Sequence, residues 1–207
     1  MLKKITQTGL LILLFSCSAL LKAEPAGYEV LPTAQPTHDP AKIEVIEFFW
    51  YGCPHCYSFE PALEKWIKSL PPKNVEFIRQ PAVFSDLWGK HAKAYFTAEA
   101  LNVVDKVHAD FFDAIQNKKQ HLETEDQLAK FFVAHGVNET EFRKAFNSFL
   151  VDTKMRQATN MAARYGITGV PAIIINGKYK TNASLAGSHE KMIEVMNQLI
   201  EQESKAK

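Results

Sequence analysis

Ile43-Glu44-Val45-Ile46-Glu47-Phe48-Phe49-Trp50-Tyr51-Gly52-Cys53-Pro54-His55-Cys56 is the stretch on which the reading of this chain turns. Residues 43–50 form a nearly continuous apolar run, the pattern of a central strand covered on both faces. Cys53 and Cys56 then stand three positions apart where a helix should open. That helix is expected from about Pro54 to Ser69, kinked at Pro61 and closed by Pro71-Pro72.

Two cysteines at i and i+3 of a helix start are close enough to form a disulfide. The first sulfur sits where unpaired backbone N–H groups and the positive end of the helix dipole converge. Both favour a thiolate, so they stabilise the reduced pair and make the disulfide an oxidant. Cys53 is therefore expected to be the exposed nucleophile and Cys56 the buried resolving thiol. His55 can offer the thiolate a hydrogen bond or positive charge. Pro54 suits the first helical turn, where its missing N–H costs nothing. The competing readings of the spacing are half a zinc site and an inert structural disulfide. Zinc needs four ligands, and the sequence offers neither a second CxxC nor suitably paired histidines.

The N-terminus sets the redox compartment. Lys3 and Lys4 precede a short apolar core around Gly9–Phe15, a pattern of export and too short to span a bilayer. Residues 1–23 are read as a signal peptide cut after Ala23, with Ala19 as a second site. Leu14-Phe15-Ser16-Cys17 also resembles a lipobox, and lipidation at Cys17 would tether the chain to a membrane. Each reading places the protein outside the cytosol, where disulfides persist. Removing residues 1–23 leaves 184, a size for one good core or two closely joined ones. It also removes three lysines and no acids, so the net charge of +1 becomes −2. That balance gives no case for a nucleic acid or an anionic membrane as partner.

Outward from the cysteines, residues 24–41 carry four prolines and read as an extended leader. Val75–Arg79 is a second strand, and residues 86–165 are a long helical block. Within it Thr124-Glu125-Asp126-Gln127 predicts a capping box that launches Leu128, Phe131 and Phe132 on one face, with Gly136 as the stop. Asn138 should start another helix, with Phe142, Phe146 and Phe149 at helical spacing. Gly166 should end a third. Ala172–Ile175 is a strand, Asn176-Gly177 a hairpin turn into Lys178-Tyr179-Lys180, and Ser188–Gln202 a last amphipathic helix. The order predicts an α/β unit in two parts, 42–85 and 153–207, interrupted by a helical insert at 86–152.

Glu47 ends the apolar face of Ile43 and Val45, as Arg79 ends that of Val75 and Phe77. On neighbouring strands the two would form a partly buried ion pair behind the cysteines. A buried carboxylate of raised pKa could take and return the Cys56 proton. The alternative is two unrelated side chains reaching solvent. Thr168-Gly169-Val170-Pro171 precedes the Ala172 strand, and by pattern alone Pro171 is a trans turn proline.

These residues together resemble the DsbA-type thiol:disulfide oxidoreductases of the bacterial periplasm. The likeness runs from the Glu-Phe-Phe strand through Cys53-Pro54-His55-Cys56-Tyr57 and the helical block to Gly169-Val170-Pro171. It implies a thioredoxin-like fold with an inserted α-helical domain, and a very low thiol pKa with a strongly oxidising couple, extremes that the residues alone do not establish. It also implies a cis bond at Val170-Pro171, with the Val170 backbone pairing with an extended substrate peptide. Glu47 falls on the family's buried acid and Glu60 on a further acid near the site. Arg79 stands where familiar members have lysine, and arginine does not release its proton. Trp50-Tyr51-Gly52 departs from the usual phenylalanine-rich approach.

The function so implied is donation of the Cys53–Cys56 disulfide to reduced, unfolded exported proteins through a mixed disulfide at Cys53. A DsbB-like quinone-linked membrane protein would reoxidise the pair, no metal or organic cofactor would be needed, and the chain would be a monomer. A disulfide isomerase or reductase would use the same motif. A non-catalytic peptide-binding holdase, from another class, would keep its activity after Cys53→Ser.

Overall fold

The computed structural model describes residues 27–71 and 73–207. The expected signal segment and its processing positions Cys17, Ala19 and Ala23 lie outside them. The elements in order are β1 (Glu29–Val30), β2 (Ile43–Phe49), α1 (Pro54–Ile67), β3 (Val75–Pro81), α2 (Asp86–Ala100), α3 (Val104–Gln116), α4 (Glu125–Ala134), α5 (Glu139–Phe146), α6 (Phe149–Arg164), β4 (Ala172–Ile175), β5 (Tyr179–Thr181), α7 (Ala183–Ala186) and α8 (His189–Lys205). The five strands form one mixed sheet in the order β1-β5-β4-β2-β3, with only β2 and β3 parallel.

Every residue of β2 is buried, as the unbroken apolar run requires of a central strand. Its Ile43 and Val45 pack with Phe59 and Leu63 of α1 and Met192, Met196 and Leu199 of α8. Ile46 and Phe48 face the other way, onto Ala162 of α6, Tyr165 and Ile167. Phe49, Tyr51, Cys53 and Cys56 belong to a third cluster, with Phe111 and Phe112 of α3, Leu128 and Phe132 of α4, and Phe142 of α5. The end of the central strand and both thiols are thus packed into the core of the helical region.

Local chemistry explains most boundaries. The Thr124–Gln127 capping box is formed from both sides, and Gly136 follows α4 with φ of 76°. Asn176 and Gly177 both have positive φ, the signature of a tight type I′ hairpin. A side chain on Gly177 would run into the Gln35 carbonyl, whose residue donates its N–H to the Gly177 oxygen at 2.8 Å. The described part of the leader, residues 27–41, contains no helix, as expected, but it also carries a strand: Glu29 and Val30 pair with Lys180 and Tyr179 of β5.

Two details differ from the sequence reading. Phe149 does not share the buried face of Phe142 and Phe146; it opens α6 after the Ser148 cap and is 80% exposed. The expected division between residues 152 and 153 falls inside α6, a single helix with Val151 in the helical core and Ala162 against the sheet.

Candidate active site

Among the described residues, six of the eight helices begin on a Ser, Thr or Asn whose side-chain oxygen accepts a first-turn N–H. α1 begins instead on Cys53, in extended conformation, with Pro54 in the first turn and no side-chain cap. Its free N–H groups therefore face sulfur. The Cys53 thiol is lowered from the ordinary value near 9 to about 6. The Cys56 thiol donating to the Cys53 sulfur contributes most; burial opposes it, and the Cys56 and His55 N–H groups and the charge of His55 add to it. Cys56 moves the other way, pushed up by burial and by its partner sulfur, with further repulsion from Glu47.

Cys53 is less open than expected of an exposed nucleophile: it is 8% exposed, against 0% for Cys56, and both are free thiols. The Cys53 sulfur lies 3.4 Å from the Val170 carbonyl oxygen, which accepts its S–H. The Val170–Pro171 bond is cis, which corrects the trans proline expected from pattern alone. His55 and Pro54 are exposed beside the thiols. His55, Gly169, Val170, Pro171, Asn182 and Ser184 line a groove of about 220 Å³ along this edge.

Behind the thiols, β2 and β3 lie in a register that sets Glu47 directly beside Arg79. Glu47 is fully buried, and its carboxylate meets the Arg79 Nε only at 3.7 Å, with neither of its oxygens hydrogen-bonded. The alternative of two side chains reaching solvent is thereby excluded. Burial, and then the nearby Glu60 charge, raise the Glu47 carboxyl to about 8 against the pull of Arg79. Arg79 instead donates to Glu60 at 2.6 Å and to Glu64 of the same helix. Burial would raise Glu60, but His108 and Arg79 outweigh it and hold this carboxyl near 2.

A proton held by Glu47 in the fold but not in the unfolded chain favours folding below about pH 4.5, and that contribution is lost as pH rises to about 8. Glu47→Gln is therefore expected to gain stability relative to the parent protein between pH 5 and 8. Urea unfolding across that range checks it, and a pH-independent difference between the two proteins would contradict it.

Four side chains that the sequence did not single out, Trp88, His91, His108 and Gln116, complete the site. The Trp50 indole N–H donates to His91 Nδ1 at 3.0 Å, and its ring stacks on Trp88 with centroids 4.2 Å apart. His91 is buried, which lowers it to about 4 and keeps it a neutral acceptor. The Tyr51 hydroxyl lies 2.7 Å from His108 Nδ1, and the Gln116 amide donates to the Tyr51 carbonyl at 2.8 Å. The approach to the thiols is thus held by side chains of α2 and α3, from 41 to 65 residues away in sequence. A Cβ on Gly52 would overlap the ring of Trp50, which the stack and the His91 bond hold in place. Gly52→Ala is accordingly expected to cost about 1–3 kcal/mol of stability, the usual cost of overpacking, read from chemical denaturation.

Among the described residues no group of three or more His, Cys, Asp or Glu side chains could hold a metal ion, and no helix is long and apolar enough to cross a membrane. What the arrangement can do is thiol chemistry: an acidic sulfur at a helix start, a buried partner thiol, and a proton-holding carboxyl behind them.

Comparison with known proteins agrees with that chemistry. Residues 89–194 match the model of the DSBA-like thioredoxin domain. The thiol:disulfide interchange protein DsbA of Azotobacter vinelandii is 45% identical over 179 residues, covering 86% of this chain and 83% of the relative. That of Burkholderia cepacia is 38% identical over 208 residues, covering 97% of each. The crystal structure of Pseudomonas aeruginosa DsbA superposes with a TM-score of 0.83 at 39% identity, covering 87% of this chain and 93% of that one. The likeness spans most of the chain, and the chain belongs to the DsbA family of thiol:disulfide oxidoreductases, with their thioredoxin-like fold.

Proposed function

We propose that the protein is a disulfide oxidase of the bacterial periplasm whose reactive sulfur is Cys53. The observation that carries this reading is the asymmetry of the pair: Cys53 is lowered to about 6 while Cys56 is raised. A stabilised Cys53 thiolate is a good leaving group, so the oxidised pair gives up its disulfide readily.

A substrate thiolate attacks the Cys53 sulfur of the disulfide; the S–S bond breaks and Cys56 leaves as a thiolate. Glu47 supplies the proton that Cys56 takes up. A second substrate thiolate then attacks the substrate sulfur of the mixed disulfide and expels the Cys53 thiolate. The substrate gains a disulfide and loses two electrons, and the enzyme is left as the dithiol. The groove beside His55 and the Val170 backbone receive the substrate chain in extended form. The substrates are reduced, unfolded exported proteins, and a DsbB-like quinone-linked membrane protein returns the pair to the disulfide. The two sulfurs are the whole redox group, with no added cofactor.

Equilibration with glutathione tests the direction. An oxidase should be mostly reduced at glutathione ratios that leave a free-thiol reductase couple oxidised; a disulfide that resists such buffers would identify a reductase instead.

A further inference from the structure

His108 lies on α3, in the helical insert, and is buried, yet it is a polar link between two parts of the site. Its Nδ1 is 2.7 Å from the Tyr51 hydroxyl, two residues before Cys53. Its Nε2 is 3.3 Å from Glu60 Oε1, within ion-pair distance but out of line for a hydrogen bond, and has no hydrogen-bond partner among the described residues. Glu60 in turn receives Arg79, which lies beside Glu47. The titratable and charged groups that face this imidazole are Tyr51 from the turn, Glu60 and Glu64 from α1, Glu47 and Arg79 from the sheet, and Tyr95 from α2.

We propose that His108 is a positioning residue for thiol–disulfide exchange: a neutral imidazole, protonated on Nε2, by which the helical insert holds the Tyr51 turn and the Glu60 carboxylate together. The tautomer follows from the partners. An ionised Glu60 can only accept, so Nε2 carries the hydrogen, and Nδ1 is left to accept from the Tyr51 O–H. Burial lowers His108 and agrees with a neutral ring.

The inference rests on the oxidase reading and adds a residue to it. Glu60 stays ionised near neutral pH with or without His108, but deprived of the imidazole it leans on Arg79 alone and draws the guanidinium away from Glu47, which it meets only at 3.7 Å. Glu47 would then stay protonated to higher pH and would accept the Cys56 proton less readily. Losing part of the pull of a neighbouring guanidinium corresponds to a shift of about one pH unit.

The reduced protein should be mixed with a chromogenic aryl disulfide in stopped flow. Cys53 attacks first and releases one aryl thiolate; Cys56 then attacks the mixed disulfide and releases the second. In His108→Phe the pH midpoint of the first phase should hold, while the rise of the second phase moves up by about one unit, roughly tenfold slower near neutral pH. His108→Gln keeps an N–H donor and should restore most of that rate. A second phase unaltered in His108→Phe would overturn the proposal. If that variant does not fold, nitrogen NMR of His108 in the parent protein decides: a neutral Nε2–H ring supports the assignment, and an imidazolium or Nδ1–H ring refutes it. Absence of an acid-shifted first phase in the parent protein would instead count against the oxidase reading.

Discussion

Replacing Cys53 by Ser is expected to reduce disulfide donation to the uncatalysed background, and replacing Cys56 by Ser to trap substrates on Cys53. The two outcomes differ because the structure gives the sulfurs different access and acidity. Cys53 retains 8% exposure at the helix start, whereas Cys56 has none and its thiol is raised by burial. A substrate sulfur can therefore reach only Cys53. With Cys56 absent the chain cannot hold its own disulfide, but Cys53 still exchanges with an oxidised substrate, and the intramolecular thiol that would release it is gone. Oxidation of a reduced, unfolded multi-cysteine protein gives the first result, and non-reducing electrophoresis with mass analysis gives the second. Cys53→Ser with parental activity would show instead a peptide-binding protein whose thiols are incidental. Trapping on Cys56 in the Cys53→Ser variant would reverse the assignment of roles.

The thiolate of Cys53 should also be visible in alkylation and in stability. Iodoacetamide reactivity of the reduced protein is expected to rise with a midpoint near pH 6, against about 9 for an ordinary thiol. The same difference is linked to folding. An acid with a lowered folded pKa stabilises the native state above its unfolded pKa, and the contribution is lost as pH falls through the folded value. For a displacement from 9 to about 6, linkage gives about 1.4 kcal/mol at pH 7, rising to about 4 kcal/mol above pH 9, and nearly nothing at pH 4. The measurement is the difference in unfolding free energy between the reduced parent protein and Cys53→Ser, followed from pH 4 to pH 9. Taking the difference removes most of the opposing trend from Glu47, whose raised carboxyl weakens the fold as pH rises to about 8. A flat difference would mean that neither the Cys56 S–H nor the helix-start N–H groups stabilise the thiolate, and the oxidant argument would fall with it.

Short-range chemistry explains why much of this was legible beforehand. The run of β2, the capping box at Thr124, the Asn176-Gly177 turn and the stops at Gly136 and Gly166 each depend on a few adjacent residues. The placing of Glu47 and Arg79 was half legible. Strand alternation puts each at the end of an apolar face, but only the parallel register makes them neighbours. Phe149 shows the limit of periodicity, because its spacing continues that of Phe146 across a helix break that Ser148 imposes.

What the sequence by itself determined was the reactive element: a buried strand ending in two thiols at a helix start, with turn and cap residues setting the order of elements around it. Those features act through the backbone of a few consecutive residues, so they survive without knowledge of the fold. Tertiary structure alone decided the surroundings that tune the thiols. The Val170 carbonyl meets Cys53 across 117 residues, His91 and His108 meet Trp50 and Tyr51 across 41 and 57, and Arg79 divides itself among three carboxylates. A lone histidine or arginine has no local pattern, and its role follows from which groups are buried beside it, where low polarity makes each charge and each unmade hydrogen bond costly.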